Sequence, residues 1–252
     1  MPPPLAGDHA LAARLATDAG ALLLELRTRL VADGVDGRVL GWEGDRAAHE
    51  LLTSRLAELR PADAVLSEEG VSDPARLAAE RVWIVDPLDG TREFGEVPRA
   101  DWAVHVALVV AGDPVAGAVA LPARGLTLAT DRPPALPPAG TGPVRVVVSR
   151  SRPPAEAGLI AEALGGELVT LGSAGAKAMA VVLGEADVYP HSGGQYEWDS
   201  AAPVAVARAA GLHASRLDGS ALEYNRPDPY LPDLLVCRPE LAERVIAAVT
   251  AG

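Results

Sequence analysis

The chain has 252 residues, 49% of them hydrophobic and 22% charged, with a formal net charge of -12 at pH 7. This is a globular composition, long enough to bury a core as one large domain or two modest ones, and it excludes a disordered chain. The acidic surplus argues against nucleic acid polymers and acidic membranes as partners, since both need a basic surface.

In chain order, residues 1–10 lack a basic stretch followed by an apolar one, so no signal peptide is expected. Leu11, Leu15, Ala19, Leu22, Leu26 and Leu30 recur at helical spacing and predict a helix over about 11–31, with Asp8 as its cap. Its leucine-rich part, 21–30, is broken by Glu25, Arg27 and Arg29, short of the ~20 apolar residues a membrane span needs. A second helix is predicted over about 46–59, stopped by Pro61. Strands follow over 64–67, 82–85, 102–110, 115–121 and 126–130, the last three antiparallel neighbours, with a turn at 122–125. Trp102, Val104, Val106 and Leu108 share one face.

Residues 131–143 are rich in Pro, Ala and Gly without periodicity and read as a linker. It divides an N-terminal subdomain, 1–130, from a C-terminal one, 144–252. There the pattern alternates: strands over 144–148, 167–171, 186–189 and 234–237, helices over 155–164, 173–183, 199–210 and 240–249. The fold class is therefore α/β, a layered sandwich of helices on sheets. The one cysteine, Cys237, lies in an apolar run and reads as a small buried hydrophobe. A cytoplasmic protein is expected.

The chemistry concentrates in acids. Glu68-Glu69 and Asp86 each follow an apolar strand. Were the strands parallel neighbours, both would lie at one sheet edge, where open sheets place ligands. Asp89 follows across a turn tightened by Pro87 and Gly90, which aims Asp86 and Asp89 together and leaves the Leu88 carbonyl free. Carboxylates and a carbonyl are hard oxygen ligands suited to Mg2+. The five histidines are scattered and offer no zinc set. The amides of Gly90 and Thr91 are candidates to cradle a phosphate. Taken alone, Asp86 and Asp89 also fit turn formers, and Asp199 fits a helix cap.

Asp45, Glu68-Glu69, Asp86-Pro87-Leu88-Asp89-Gly90-Thr91 and Trp198-Asp199-Ser200-Ala201-Ala202, in that order, resemble the signature of the inositol monophosphatase superfamily, lithium-sensitive and Mg2+-dependent phosphatases. Arg92-Glu93-Phe94, Ser149-Arg150-Ser151 and the turn from Gly172 to Lys177 resemble its 3'(2'),5'-bisphosphate nucleotidase branch. The resemblance implies a two-subdomain layered sandwich, often dimeric. Glu68, Asp86 and the Leu88 carbonyl would hold one Mg2+, and Asp86, Asp89 and Asp199 a second. A third, weaker ion would sit near Glu68. Asp45 and Thr91 would orient and deprotonate the attacking water; the other reading of Asp45 is a cap for the second helix. The implied reaction is hydrolysis of 3'-phosphoadenosine 5'-phosphate, or its 5'-phosphosulfate, in sulfur assimilation. The alternatives are an inositol-1-phosphate or fructose-1,6-bisphosphate phosphatase, a broad-specificity member, or a non-catalytic metal-binding protein.

Substrate contacts are expected from Glu68, Leu88, Asp89, Gly90, Thr91 and Asp199 with Arg92, Ser149, Ser173, Gly175, Lys177, Glu197 and Arg216. The amides of the helix opening at Ser173 would meet an anion, and Lys177, the one lysine, the 5'-phosphate. Its other reading is a solvated lysine. Glu197 would meet a ribose or base edge. His105 reads as a packing residue, and Tyr196 and Trp198 as aromatics that pack their motif.

Overall fold

The computed structural model describes residues 7–251; the first six, part of the start read as lacking a signal peptide, and Gly252 lie outside the described residues. Helix α1 spans Asp8–Ala32 and α2 spans Gly37–Leu59. Asp8 is not the cap. It is buried in the first turn of α1 and pairs with Arg60 and Arg81. Helix α2 starts well before the expected Arg46, at a cap where the Asp36 side chain accepts from the Arg38 amide. Asp45 therefore lies inside the helix, and the cap reading of it is corrected. Gly37, Gly41 and Gly44 weakened the helical signal, because glycine disfavours a helix interior.

Strands β1 (Ala64–Ser67), β2 (Arg81–Asp89), β3 (Ala103–Val110), β4 (Asp113–Leu121) and β5 (Leu126–Ala129) form one sheet in that order. Only β1 and β2 are parallel in it. A short helix α3, Thr91–Gly95, follows β2. The second sheet contains β6 (Val144–Ser149), β7 (Gly166–Leu171), β8 (Val188–Tyr196), β9 (His213–Ser215) and β10 (Tyr230–Cys237), in the order β7-β6-β8-β10-β9. Helices α4 (Glu156–Leu164), α5 (Ala174–Val182), α6 (Glu197–Ala209) and α7 (Ala242–Thr250) complete the chain. Residues 131–143 contain no helix or strand.

Three apolar clusters define five layers. Leu15, Leu23, Leu40 and Leu52 of α1 and α2 pack on Trp83, Val104, Val106 and Leu108. The opposite face of that sheet, with Ile84, Ala107 and Val109, packs on α5 and α6, which also meet Val147 and Val236 of the second sheet. Helices α4 and α7 cover the outer face of the second sheet through Ile160 and Val245. The alternation of β3 thus separates two buried faces rather than core from solvent. Cys237 is fully buried, which pushes its thiol up to about 12 and makes it inert packing. Among the described residues no helix is long and apolar enough to cross a membrane.

Candidate active site

The parallel pairing of Ser67 with Val85 brings the ends of β1 and β2 together, so Glu68 and Asp86 emerge at one sheet edge. Past Asp86 the pairing with β3 slips and resumes at Asp89. Asp86 Oδ1 accepts the Leu88 amide at 3.1 Å, while Oδ2 is buried without a hydrogen-bond partner. Asp89 takes the Ser173 hydroxyl at 2.5 Å and the amides of Gly175 at 2.6 Å and Ala174 at 3.1 Å. Asp199 sits in the first turn of α6, where its Oδ2 accepts the Tyr196 amide at 2.7 Å. It is not the cap, which is Tyr196, but sits inside the helix, accepts the amide of that cap residue, and also faces the acids. Ligand oxygens of Asp86, Asp89 and Asp199 all lie within 4.8 Å of one another.

Asp45 reaches this edge because α2 lies unusually close to the Asp89-Gly90-Thr91 turn. A Cβ on Gly41 would stand 2.7 Å from Thr91 Cγ2, one on Gly37 2.6 Å from the Gly95 carbonyl oxygen, and one on Gly44 2.9 Å from Leu88 and Phe94 side chains. The glycines thus form the contact stripe of the helix. Beside them the Thr91 hydroxyl lies 3.4 Å from Asp45 Oδ1 and 3.2 Å from the Leu88 carbonyl oxygen.

Crowding sets the electrostatics. Burial, then the charges of Glu69 and Glu68, pushes Asp45 up to about 8. Burial, then Asp89, pushes Asp199 up to about 7. Asp86 is raised well above the usual carboxylate range by burial and then by Glu68, Asp89 and Asp199. Glu68 is raised too, first by burial. Asp89 goes the other way: burial opposes its charge, but His105, Lys177 and Ser173 hold it below the ordinary range. Such acids ionise together only if cations join them. The oxygen donor set and the orphaned, buried Asp86 Oδ2 fit a hard divalent ion.

Beside the acids lies a pocket of about 620 Å3 lined by Asp89, Gly90, Thr91, Arg92, Ser149, Ser173, Lys177 and Asp199, with Ser151, Arg152, His191 and Gln195. Most sequence candidates are gathered here, but several are already engaged. The α5 amides expected to meet a substrate anion instead meet Asp89. Lys177 is neither solvated nor exposed: its Nζ donates to the carbonyls of Gly172 and Ser173, and burial lowers its pKa. Glu197 is 1% exposed and accepts the amides of Asn225 and Arg226, and it does not line the pocket. Arg216 pairs with Asp233 and lines a separate depression. Arg92 pairs with Glu96. Tyr196 and Trp198 stack on each other with centroids 4.9 Å apart, as packing aromatics.

Sequence reasoning missed Arg152, whose guanidinium has no ion pair or hydrogen bond among the described residues. It also placed His105 only as packing. That ring is fully buried but lies against the acids, opposite Asp86 in the β2–β3 register. The hairpin register was the signal that could have found it.

Comparison with known proteins shows the family. The model of the inositol monophosphatase family matches residues 9–133 and 143–251. The chain belongs to the inositol monophosphatase family, whose members are metal-dependent. It is 53% identical to the 3'-phosphoadenosine 5'-phosphate phosphatase of Mycobacterium leprae over 96% of this chain and 93% of that one. It is 34% identical to the 3'(2'),5'-bisphosphate nucleotidase CysQ of Escherichia coli over 74% of this chain and 80% of that one. The crystal structure of CysQ from Bacteroides thetaiotaomicron superposes with a TM-score of 0.76 at 28% identity, covering 93% and 98% of the two chains.

Proposed function

We propose that this protein is a Mg2+-dependent 3'(2'),5'-bisphosphate nucleotidase that converts 3'-phosphoadenosine 5'-phosphate to AMP and phosphate. The observation that carries the reading is a single pocket joining two opposite chemistries: the acids Asp89 and Asp199, and the free guanidinium of Arg152 with the Ser149 and Ser151 hydroxyls. A substrate with one reacting phosphate and one distal phosphate satisfies both. The names of the M. leprae and E. coli relatives support the same substrate.

Asp86, Asp89 and Asp199, with Glu68 and the Leu88 carbonyl, would hold two to three Mg2+ ions. Bound Mg2+ supplies Lewis-acid charge beside the phosphoryl oxygens. The protein's own part begins at Thr91, whose hydroxyl orients the attacking water and passes its proton to Asp45 Oδ1. Burial and the charges of Glu69 and Glu68 hold the Asp45 carboxyl above the usual range, and cations bound beside Glu68 would offset that repulsion, leaving Asp45 ionised as the proton acceptor. Arg152 binds the distal phosphate, and residues 131–143 mark the boundary between two subdomains that each supply one wall of the pocket. The test is kcat/KM for 3'-phosphoadenosine 5'-phosphate against inositol-1-phosphate with added Mg2+. A charged hydrogen bond of about 1.5–3 kcal/mol to the distal phosphate predicts a preference for the nucleotide of roughly 10–100-fold. A preference for inositol-1-phosphate overturns the assignment.

A further inference from the structure

His105 is an imidazole set where packing alone does not call for one. It lies on β3, fully buried, with Nε2 3.2 Å from Asp89 Oδ2 and Nδ1 3.9 Å from Asp86 Oδ2. The same Nδ1 is 3.0 Å from the carbonyl oxygen of Trp198, the residue before Asp199. One ring therefore touches both chain segments that carry the converging acids. On the Nε2 side the ring holds Asp89 through this close polar contact.

The opposing side is α5, and it fits for one reason. A Cβ on Gly175 would overlap His105 Nε2. Without one, the Gly175 amide comes to 2.6 Å from the same Asp89 Oδ2 that His105 faces. His105 and Gly175 are thus a matched pair closing on one carboxylate oxygen. An apolar residue at 105 would fill the space as well, since replacing buried polar groups by hydrophobes is often neutral or stabilising. It would leave the Trp198 carbonyl and Asp89 unlinked.

We propose that His105 is a positioning residue which, with Gly175, fixes Asp89 and the Trp198–Asp199 segment in one arrangement so that their carboxylates face the same cation. This rests on the acids being the cation site, and Mn2+ binding tests that part separately from any substrate. Residues that orient metal ligands typically contribute 10–100-fold to affinity.

The test is calorimetric titration of the metal-free protein with Mn2+, using the melting temperature in chelator as the fold control. His105→Ala and Gly175→Ala are each expected to weaken Mn2+ binding at least about tenfold. The double variant should be no weaker than His105→Ala alone, because the new methyl enters the space the ring leaves. His105→Gln, with an amide near the Nε2 position, should recover part of the loss. At saturating Mg2+ the remaining defect should fall on kcat, with KM within about twofold. Wild-type Mn2+ affinity in His105→Ala, or losses that simply add in the double variant, would overturn the proposal. If His105→Ala does not fold, wild-type affinity in Gly175→Ala overturns it instead. A wild-type protein that binds no Mn2+ removes the cation site itself, and the proposal with it.

Discussion

Replacing Gly41 by alanine isolates what holds Asp45 against Thr91. The added Cβ would lie 2.7 Å from Thr91 Cγ2 and 3.2 Å from the Thr91 carbonyl oxygen, where ordinary contact begins at 3.4 Å. Relief takes about 0.7 Å, by retreat of α2 or rotation of Thr91. Retreat opens the present 3.4 Å between the Thr91 hydroxyl and Asp45 to about 4 Å, beyond hydrogen-bond range. Rotation swings the hydroxyl away from Asp45. A misplacement of that order costs about 100-fold in rate. Stability changes less, because an overpacking cost of about 1–3 kcal/mol is offset by about 0.5–1 kcal/mol of helix propensity. The assay is kcat with saturating Mg2+, alongside urea denaturation. Wild-type kcat in a folded Gly41→Ala protein would refute the claim that the glycine stripe places Asp45.

Gly158, exposed in α4 with open space around its Cβ position, is the control. Gly158→Ala should stabilise the fold by about 0.5–1 kcal/mol in urea denaturation and leave kcat unchanged. Arg152→Ala should raise KM for the nucleotide bisphosphate roughly 10–100-fold with little effect on inositol-1-phosphate turnover, read from steady-state kinetics. Chelation of divalent ions should abolish activity, and Mg2+ should restore it. In chelator the acids also predict a pH trend. Asp45 and Asp199 are raised to about 8 and about 7, so the folded state holds protons that the unfolded chain releases near 4. Their contribution is present at low pH and is lost as pH rises through those values. His191, lowered to about 4, acts oppositely but only below its unfolded value near 6.5. Between pH 6.5 and 8 the metal-free melting temperature should therefore fall, and stabilisation by Mg2+ should grow. A flat or rising melting temperature in that window contradicts the crowding of the acids.

Much of the site was legible because it is local. Glu68 follows β1, and Asp86 and Asp89 follow the apolar run 82–85 within β2, so bringing Glu68 to Asp86 needed only β1 and β2 to be parallel. Long-range packing hid the rest. The glycines of α2 look like helix breakers until the turn they touch is seen, so the sequence alone puts Asp45 near a helix start. The Ser173 turn looks like an anion site, and it is one, but its anion is Asp89, more than eighty residues upstream. Glu197 and Arg216 carry charges that fit a ligand equally well until their partners, the 225–226 amides and Asp233, are located. Arg152 is not legible in the sequence because nothing in its neighbourhood distinguishes it from Arg150, which is committed to Glu93 and Glu96.

The direct test of the account is the identity of the product. The wild-type protein with Mg2+ and 3'-phosphoadenosine 5'-phosphate should release the phosphate held at the acids and keep the one held at Arg152. Phosphorus NMR should then show inorganic phosphate and adenosine 5'-phosphate in equal amounts. Accumulation of adenosine 3'-phosphate, or no turnover of the bisphosphate, would contradict it.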